Sequence, residues 1–429
     1  MGCHFARGLV RMRAMQSMTR RVLLVLLCAS CATAAQPRAA ATDAPPFDVA
    51  QLRADIGFLA NDLLEGRRAG TRGYDVAAAY VAARLAILGI APGGKDGYFQ
   101  PLQLREVVPD LAATKVELSN PALAAAVRVP DSATVSADLA HLDLDVTGKL
   151  TFVGKGVCDP ETGRDDAAGA DLTGRWAVTL AGVAEGLPPA RAGVRSDTSA
   201  KYACVAKHGA IGLVVLRTSK GATLRWSSTV ASYRSGAMGI LDGDTARSRS
   251  LPAPVVVLDT LRIRYHGEAH DARSVNVIGR IPGSDPQLAR EAVVVSAHLD
   301  HLGVDASGGI RNGAIDNASG SAQLLAIARA LTALPKPPRR TVILLFTTGE
   351  ELGLLGAEGF VAHPTWPLPQ IVADINIDQT GMMWPIADVV ADGSERSSLA
   401  GPAGRAAAAL GLAVSPDPVP EQGFFLRSD

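Results

Sequence analysis

The sequence predicts an α/β protein, with a mixed, mainly parallel central sheet flanked by helices and interrupted by a small β-rich insert. Three observations carry that expectation. Residues 291–297, 341–348 and 371–377 are apolar runs rich in β-branched side chains, as strands buried on both faces should be. Residues 321–334 form a helical pattern between the first two runs, with Leu324, Leu325, Ile327, Ala328 and Leu331 on one side. From about residue 112 to 270 the texture changes to short β-like runs set off by Gly, Pro and Asp.

Length and charge bound the problem before any motif is read. The 429 residues, 48% hydrophobic, support two or three domains with sizeable cores. Lys plus Arg and Asp plus Glu balance at 42 each, so no basic field points to nucleic acid and no acidic tail points to disorder.

Along the chain, residues 1–34 read as a signal peptide. Arg20-Arg21 precede an apolar stretch from Val22 to Cys28, and Ala32-Thr33-Ala34 fits a small-x-small cleavage site. Met18 makes a more compact start for such a leader than Met1. The expectation is an exported protein, periplasmic or secreted, with no stable membrane span, because the apolar run falls short of the roughly 20 residues a crossing needs. Cys28-Ala29-Ser30-Cys31 loosely resembles a lipoprotein processing site, which would anchor the chain through Cys31.

Residues 35–46 are an Ala/Pro-rich linker. Amphipathic helices follow at about 48–64 and 73–88, the second closed by Gly89, and residues 102–108 could supply the first strand of the sheet they cover. Within the insert, runs at 149–153, 176–181 and 211–216 read as strands and 198–208 as a helix. Residues 274–280 resume a strand. The economical topology joins 47–110 and 271–429 in one α/β domain, with 111–270 inserted between them. Once the leader is removed only Cys158 and Cys204 remain. A disulfide and a pair of buried thiols are both open, and a thiolate zinc cage is excluded.

The three strand runs end in chemistry. The first ends in His298-Leu299-Asp300-His301, the second in Gly349-Glu350-Glu351 and the third in Asp378, while Asp316 sits in the small-residue loop GAIDNASG. In open α/β sheets the carboxyl ends of strands face the ligand crevice. Glu next to a helix start is also an ordinary solvated residue, so Glu350-Glu351 alone would decide little. Together, these donors suit a catalytic metal pair, since imidazole and carboxylate without thiolate favour Zn²⁺. Two such ions about 3.5–4 Å apart would share a water and polarise a carbonyl, with one carboxylate bridging them. A carboxylate free of metal must then move the proton to the leaving amine. Consecutive Glu350 and Glu351 can divide those two tasks, and Asp300 could hold the second N–H of His298.

AHLDHLG with His298, GAIDNASG with Asp316, TTGEELGLLG with Glu350 and Glu351, and NIDQTG with Asp378 resemble the co-catalytic dizinc aminopeptidases of the bacterial secreted type. FLANDLLEGRRAGTRG and LGIAPGGKDGYFQ resemble the same family's N-terminal region, and TFVGKGV, DLTGRWAVTL and AKHGAIGLVVL resemble the protease-associated domain inserted in such enzymes. The resemblance implies a zinc exopeptidase-like fold and two zinc ions. Asp316 would bridge them, His298 and Asp378 would complete one ion, Glu351 would bind the other, Glu350 would be the general acid/base, and Asp300 would orient His298. It also implies a cis peptide at Asp316-Asn317. The family's fifth ligand is a His in a late S-D-H motif, expected directly after Asp429. On that expectation the sequence is incomplete at its C-terminus, and the chain as it stands should bind the second ion weakly and be poorly active.

The resulting expectation is an aminopeptidase acting on peptides. Relatives of the same fold keep three alternatives open: a carboxypeptidase of acidic peptides, a glutaminyl cyclase and a non-catalytic receptor. His301 and His363 are expected on the surface or in packing, and His141, His208, His266 and His270 are given no metal role.

Overall fold

The computed structural model describes residues 47–110, 112–119, 127–128, 134–136, 142–217, 238–242, 255–305, 307–380, 385–420 and 424–429. The leader, the linker, Cys31 and His141 lie outside these residues.

Two helices open the described chain. Helix α1, Val49–Leu59, is capped by Asp48, whose carboxylate accepts the N–H groups of Ala50 and Gln51. Helix α2, Arg72–Ile87, is capped by Thr71 and buries Tyr74, Ala77, Val81 and Leu85. Between them the chain makes a tight turn at Asp62–Arg67 in which Glu65, Gly66 and Arg67 all adopt positive φ. This turn ends α1 earlier than periodicity alone suggests.

The main strands are β1, Phe99–Pro109; β2, Lys115–Ser119; β3, Asp143–Phe152; and β4, Arg175–Leu180. After helix α3, Thr198–Ala206, come β5, Gly212–Arg217; β6, Met238–Asp242; β7, Val255–Ile281; and β8, Ala292–His298. Helix α4, Gly320–Thr332, precedes β9, Thr341–Thr347, and helix α5, Leu355–Ala362, precedes β10, Ile371–Asn376. The sheet order through the site is β10-β8-β9-β7. Strand β8 pairs in parallel with both β9 and β10, whereas β7 runs antiparallel to β9 and to β1, so the sheet is mixed. The parallel ladder sets Ala297 beside Phe346 and His298 beside Thr347, which aligns the ends of β8 and β9.

One layer of core lies between this sheet and the helices. Leu59, Tyr74, Val81 and Leu85 meet Val277, Val295, Leu324, Leu325, Leu344 and Phe346. The opposite face buries Ile278, Val294, Ile343 and Leu345 against Phe360 of α5. Strand β9 is buried along its whole length, as its unbroken apolar run requires.

The β-rich region has its own cores, one around Trp176, Leu261 and Ile263 and one around Val153, Leu172, Val205 and Leu213. Strand β4 pairs in parallel with β3 and β5. Cys158 and Cys204 form a disulfide, Cα to Cα 5.4 Å. Where the sequence shows a strand resuming at residue 274, β7 is continuous from Val255, pairing with β3 over its first half and with β1 and β9 over its second. One strand therefore carries the β-rich region into the sheet that holds the site.

A candidate metal centre at the strand ends

Each candidate side chain leaves the sheet at the end of a strand or in the loop beyond it. His298 closes β8 and is 1% exposed. Glu350 and Glu351 follow β9 through Gly349, whose φ of +67° takes the backbone into a turn that L side chains resist. That turn is anchored by Asn276 of β7. Its Oδ1 accepts the Thr348 N–H at 3.1 Å, and its Nδ2 donates to the Gly356 carbonyl at 2.8 Å. Asp316 precedes α4, and the Asp316-Asn317 peptide is cis. Asp378 lies just past β10, followed by Gln379 at φ +49°, whose Nε2 donates to Asp316 Oδ2 at 3.1 Å. Strained non-glycine residues thus border the site at Arg67, Leu354 and Gln379.

The residues converge. His298 Nε2 stands 3.2 Å from Asp316 Oδ1, 3.3 Å from Asp378 Oδ1 and 4.0 Å from Glu350 Oε2. On the other side of Asp316, His301 Nδ1 lies 2.6 Å from Glu351 Oε1. Two donor groups therefore share Asp316, one made with His298 and Asp378, the other with His301 and Glu351, and the ligand atoms within each group lie within 4.8 Å of one another. The described residues hold one further such group, Cys158, Asp165 and His208, but its sulfur is committed to the disulfide.

Electrostatics mark the same place. Burial, with repulsion from Asp429 and Glu351 only partly offset by His298, pushes Asp300 up to about 7. Burial likewise raises Glu350 to about 8, again against the pull of His298 and with repulsion from Asp429 and Asp300. Desolvation would lower His298, yet its hydrogen bonds to Asp316 and Asp378 and the charges of Asp300 and Glu350 raise it to about 11. Asp378 stays low despite burial, because His298 and the Ser428 hydroxyl hydrogen bond to it. Buried carboxylates this short of positive charge are what a divalent cation neutralises, and the nitrogen and oxygen donors suit zinc.

Set against the sequence, His298, Asp316, Glu350, Glu351 and Asp378 come together. Asp300 differs in detail. Its carboxylate Oδ1 accepts the Glu350 N–H at 3.2 Å and is 3.8 Å from His298 Nδ1, while its main-chain carbonyl is the nearer partner of that nitrogen at 3.3 Å. A side chain two residues on in an extended segment folds back less easily than the carbonyl of the turn itself. His363 is exposed, as expected. His301 is buried and faces Glu351, and Asp429 is a further buried carboxylate, taking a hydrogen bond from Thr347 Oγ1. For His301 the signal was present in the Asp300-His301 step two residues after His298, but spacing along a loop does not show which way a side chain turns.

Comparison with known proteins adds the following. Residues 276–429 match the sequence model of Peptidase family M28. A vacuolar membrane protease of Clavispora lusitaniae is 34% identical over 141 residues, covering 33% of this chain and 12% of that protein. One of Candida dubliniensis is 43% identical over 108 residues, covering 25% of this chain and 10% of that protein. The chain thus spans about a tenth of the length of these curated relatives. Among solved structures, an aminopeptidase from Aneurinibacillus sp. strain AM-1 superposes with a TM-score of 0.52 at 20% identity, covering 80% of this chain and 73% of that one, a likeness of fold.

These relatives correct one expectation. They are named as proteases of a vacuolar membrane, and the periplasmic or secreted location, with its lipoprotein variant, is withdrawn. The physical reason is that an apolar run behind two arginines is a generic membrane-targeting signal and does not encode the compartment. No helix among the described residues is long and apolar enough to cross a membrane.

Proposed function

Because residues 276–429 match the sequence model of peptidase family M28, we propose that this chain is a zinc-dependent aminopeptidase that removes N-terminal residues from peptides. The observation that carries the reading is the sharing of Asp316 between two imidazole-carboxylate groups with Glu350 beside them.

His298, Asp316 and Asp378 would hold one zinc ion, and Asp316 with Glu351 the other. Zinc bound there supplies Lewis acidity toward the scissile carbonyl and acidifies a water. Glu350 is the proton carrier. It is mostly buried, belongs to neither donor group and stands 4.0 Å from His298 Nε2, so a carboxylate not needed as a ligand lies beside them to accept and return a proton. Its main-chain N–H donates to Asp300 Oδ1, which fixes the backbone of the turn that carries it. The carbonyl of Asp300 sets the ring of His298 by facing Nδ1, which leaves Nε2 directed at Asp316 and Asp378. Residues 111–270 make up a protease-associated-like insert on this reading, tied to the catalytic sheet through β7.

The test is a panel of aminoacyl-arylamides and N-blocked peptides, assayed with and without chelator. Chelator-sensitive release of arylamine, with blocked peptides left intact, supports the aminopeptidase. Cleavage of blocked peptides from the other end moves the reading to a carboxypeptidase, and inactivity of zinc-loaded protein on both sets overturns the enzyme.

A further inference from the structure

We propose that the β-rich region carries a further, redox-gated zinc site, in which Cys158, Asp165 and His208 are the ligands once the Cys158–Cys204 disulfide is reduced. The ligand atoms of these three residues lie within 4.8 Å of one another, the bound that the two donor groups sharing Asp316 also meet. Donors on a tetrahedral zinc stand about 3.3–3.8 Å apart, so a small contraction closes the group on an ion. In the oxidised chain the Cys158 sulfur is a poor ligand, because the thiolate is the form that binds metal. Two cysteines cannot build an all-thiolate cage, but a site that mixes thiolate, imidazole and carboxylate needs only Cys158.

Two arms present these donors, and each is held by bonds other than the disulfide. Residues Cys158–Asp159 pair antiparallel with Arg164–Asp165, which sets Cys158 directly opposite Asp165. The fully buried Asp159 pins that hairpin, accepting from Thr162 Oγ1 at 2.7 Å and from Arg191 and Arg195 at 3.4 and 3.3 Å. Beside it, Asp166 accepts the Val157 main-chain N–H at 3.1 Å. The other arm is the end of α3, where His208 follows Cys204 by four residues, about one helical turn. The His208 main-chain N–H donates to the Val205 carbonyl at 3.0 Å, and the His208 carbonyl accepts from the Leu172 N–H at 3.1 Å. Asp165 Oδ1 accepts the Ala167 N–H at 3.0 Å, which leaves Oδ2 facing His208 Nε2 at 2.9 Å. The His208 and Asp165 side chains are 23% and 34% exposed, so a cation reaches them from solvent. Zinc there ties the hairpin to the end of α3, the two segments that the disulfide joins in the oxidised chain. With a phosphine as reductant the step balances. The phosphine gives two electrons to the S–S bond and takes the oxygen of a water, whose two protons cap the two sulfurs. Zinc then displaces the Cys158 proton to solvent.

The experiment loads the chelator-stripped full chain with Co²⁺ before and after reduction by a phosphine. It reads the near-ultraviolet thiolate-to-cobalt charge-transfer band and counts bound metal by elemental analysis. Cys3→Ser, Cys28→Ser and Cys31→Ser in every sample leave Cys158 and Cys204 as the only cysteines. The groups sharing Asp316 have no sulfur donor, so the band reports the new site alone. Reduction should bring the band and one further equivalent of metal, whatever the oxidised chain binds. Cys204→Ser, which leaves Cys158 free, should show both with no reductant. Reduced Cys158→Ser should lose the band. Reduced His208→Ala should bind the further equivalent more weakly by more than the roughly 10–100-fold that losing an outer hydrogen-bond partner costs, and His208→Gln serves where Ala unfolds. Absence of the band from the reduced chain or from Cys204→Ser would overturn the proposal, as would a band in the oxidised chain. Unchanged affinity in the His208 variant would mean that sulfur binds alone, and would overturn it too. Circular dichroism is recorded on each sample, and unfolding of the chain on reduction overturns the proposal, since the two arms must hold without the S–S bond. Failure of the groups sharing Asp316 to bind metal would count against the peptidase reading and leave this one standing.

Discussion

Glu350 and Glu351 are chain neighbours with different surroundings, and that difference divides their work. Glu351 is engaged by His301, whereas Glu350 faces His298 from 4.0 Å with its carboxyl pushed upward by burial. Replacing Glu350 by Gln should therefore leave zinc stoichiometry unchanged and lower kcat roughly 10²–10⁴-fold, with little effect on KM, as arylamide kinetics will read. Lys201, in the β-rich region, makes a prediction of another kind. Its ammonium is buried, donates to the Leu180 carbonyl at 2.8 Å, and is lowered from 10.5 to about 8 by desolvation. Between those values the unfolded chain binds the extra proton, so stability should rise with pH across the window and level off above it. The rise is at most about 3 kcal/mol. Urea unfolding at a series of pH values should show the slope, and Lys201→Met should flatten it.

At the scale of elements, the turn between β9 and α5 is held by packing that tolerates no side chain at Gly356. A Cβ there would collide with the Thr348 carbonyl and stand 2.6 Å from Asn276 Oδ1, the atoms that fix the start of the turn. Gly356→Ala should cost about 1–3 kcal/mol and lower kcat/KM, because Glu350 and Glu351 ride on the displaced segment. Thermal melts and kinetics on the same sample check both effects. Strands β8, β9 and β10 were readable from their apolar runs to within a residue, and α2 and α4 nearly as closely. The early end of α1 was not, because Asp62–Arg67 closes in a positive-φ turn that Arg67 stabilises through carbonyls more than 230 residues away.

Over the whole molecule, the disulfide and the metal centre stabilise different regions. Cys158 and Cys204 close a 46-residue separation within the β-rich region, so replacing both by Ser should destabilise it by about 2–4 kcal/mol while the zinc count stays unchanged. Stripping metal should do the converse. It leaves buried carboxylates without a counter-charge, and zinc at 100 times its Kd should restore about 2.7 kcal/mol. Differential scanning calorimetry of wild-type, Ser-substituted and chelated protein separates the two contributions. The continuous strand Val255–Ile281 joins these regions, which segment-by-segment periodicity did not reveal, since pairing partners change along it while its extended backbone does not.

The α/β class, the order of strands and helices, and the carboxylates and imidazole at strand ends could all be read from residue order, because apolar periodicity and turn chemistry act over a few neighbouring residues. Residue order left open whether Cys158 met Cys204, placed His301 among surface or packing residues, and did not show that the Asp300 carbonyl is nearer to His298 than its carboxylate is. Those outcomes depend on where loops from distant segments come to rest, and the buried Arg67 and Asn276 hold those loops through hydrogen bonds whose partners are far away in the chain.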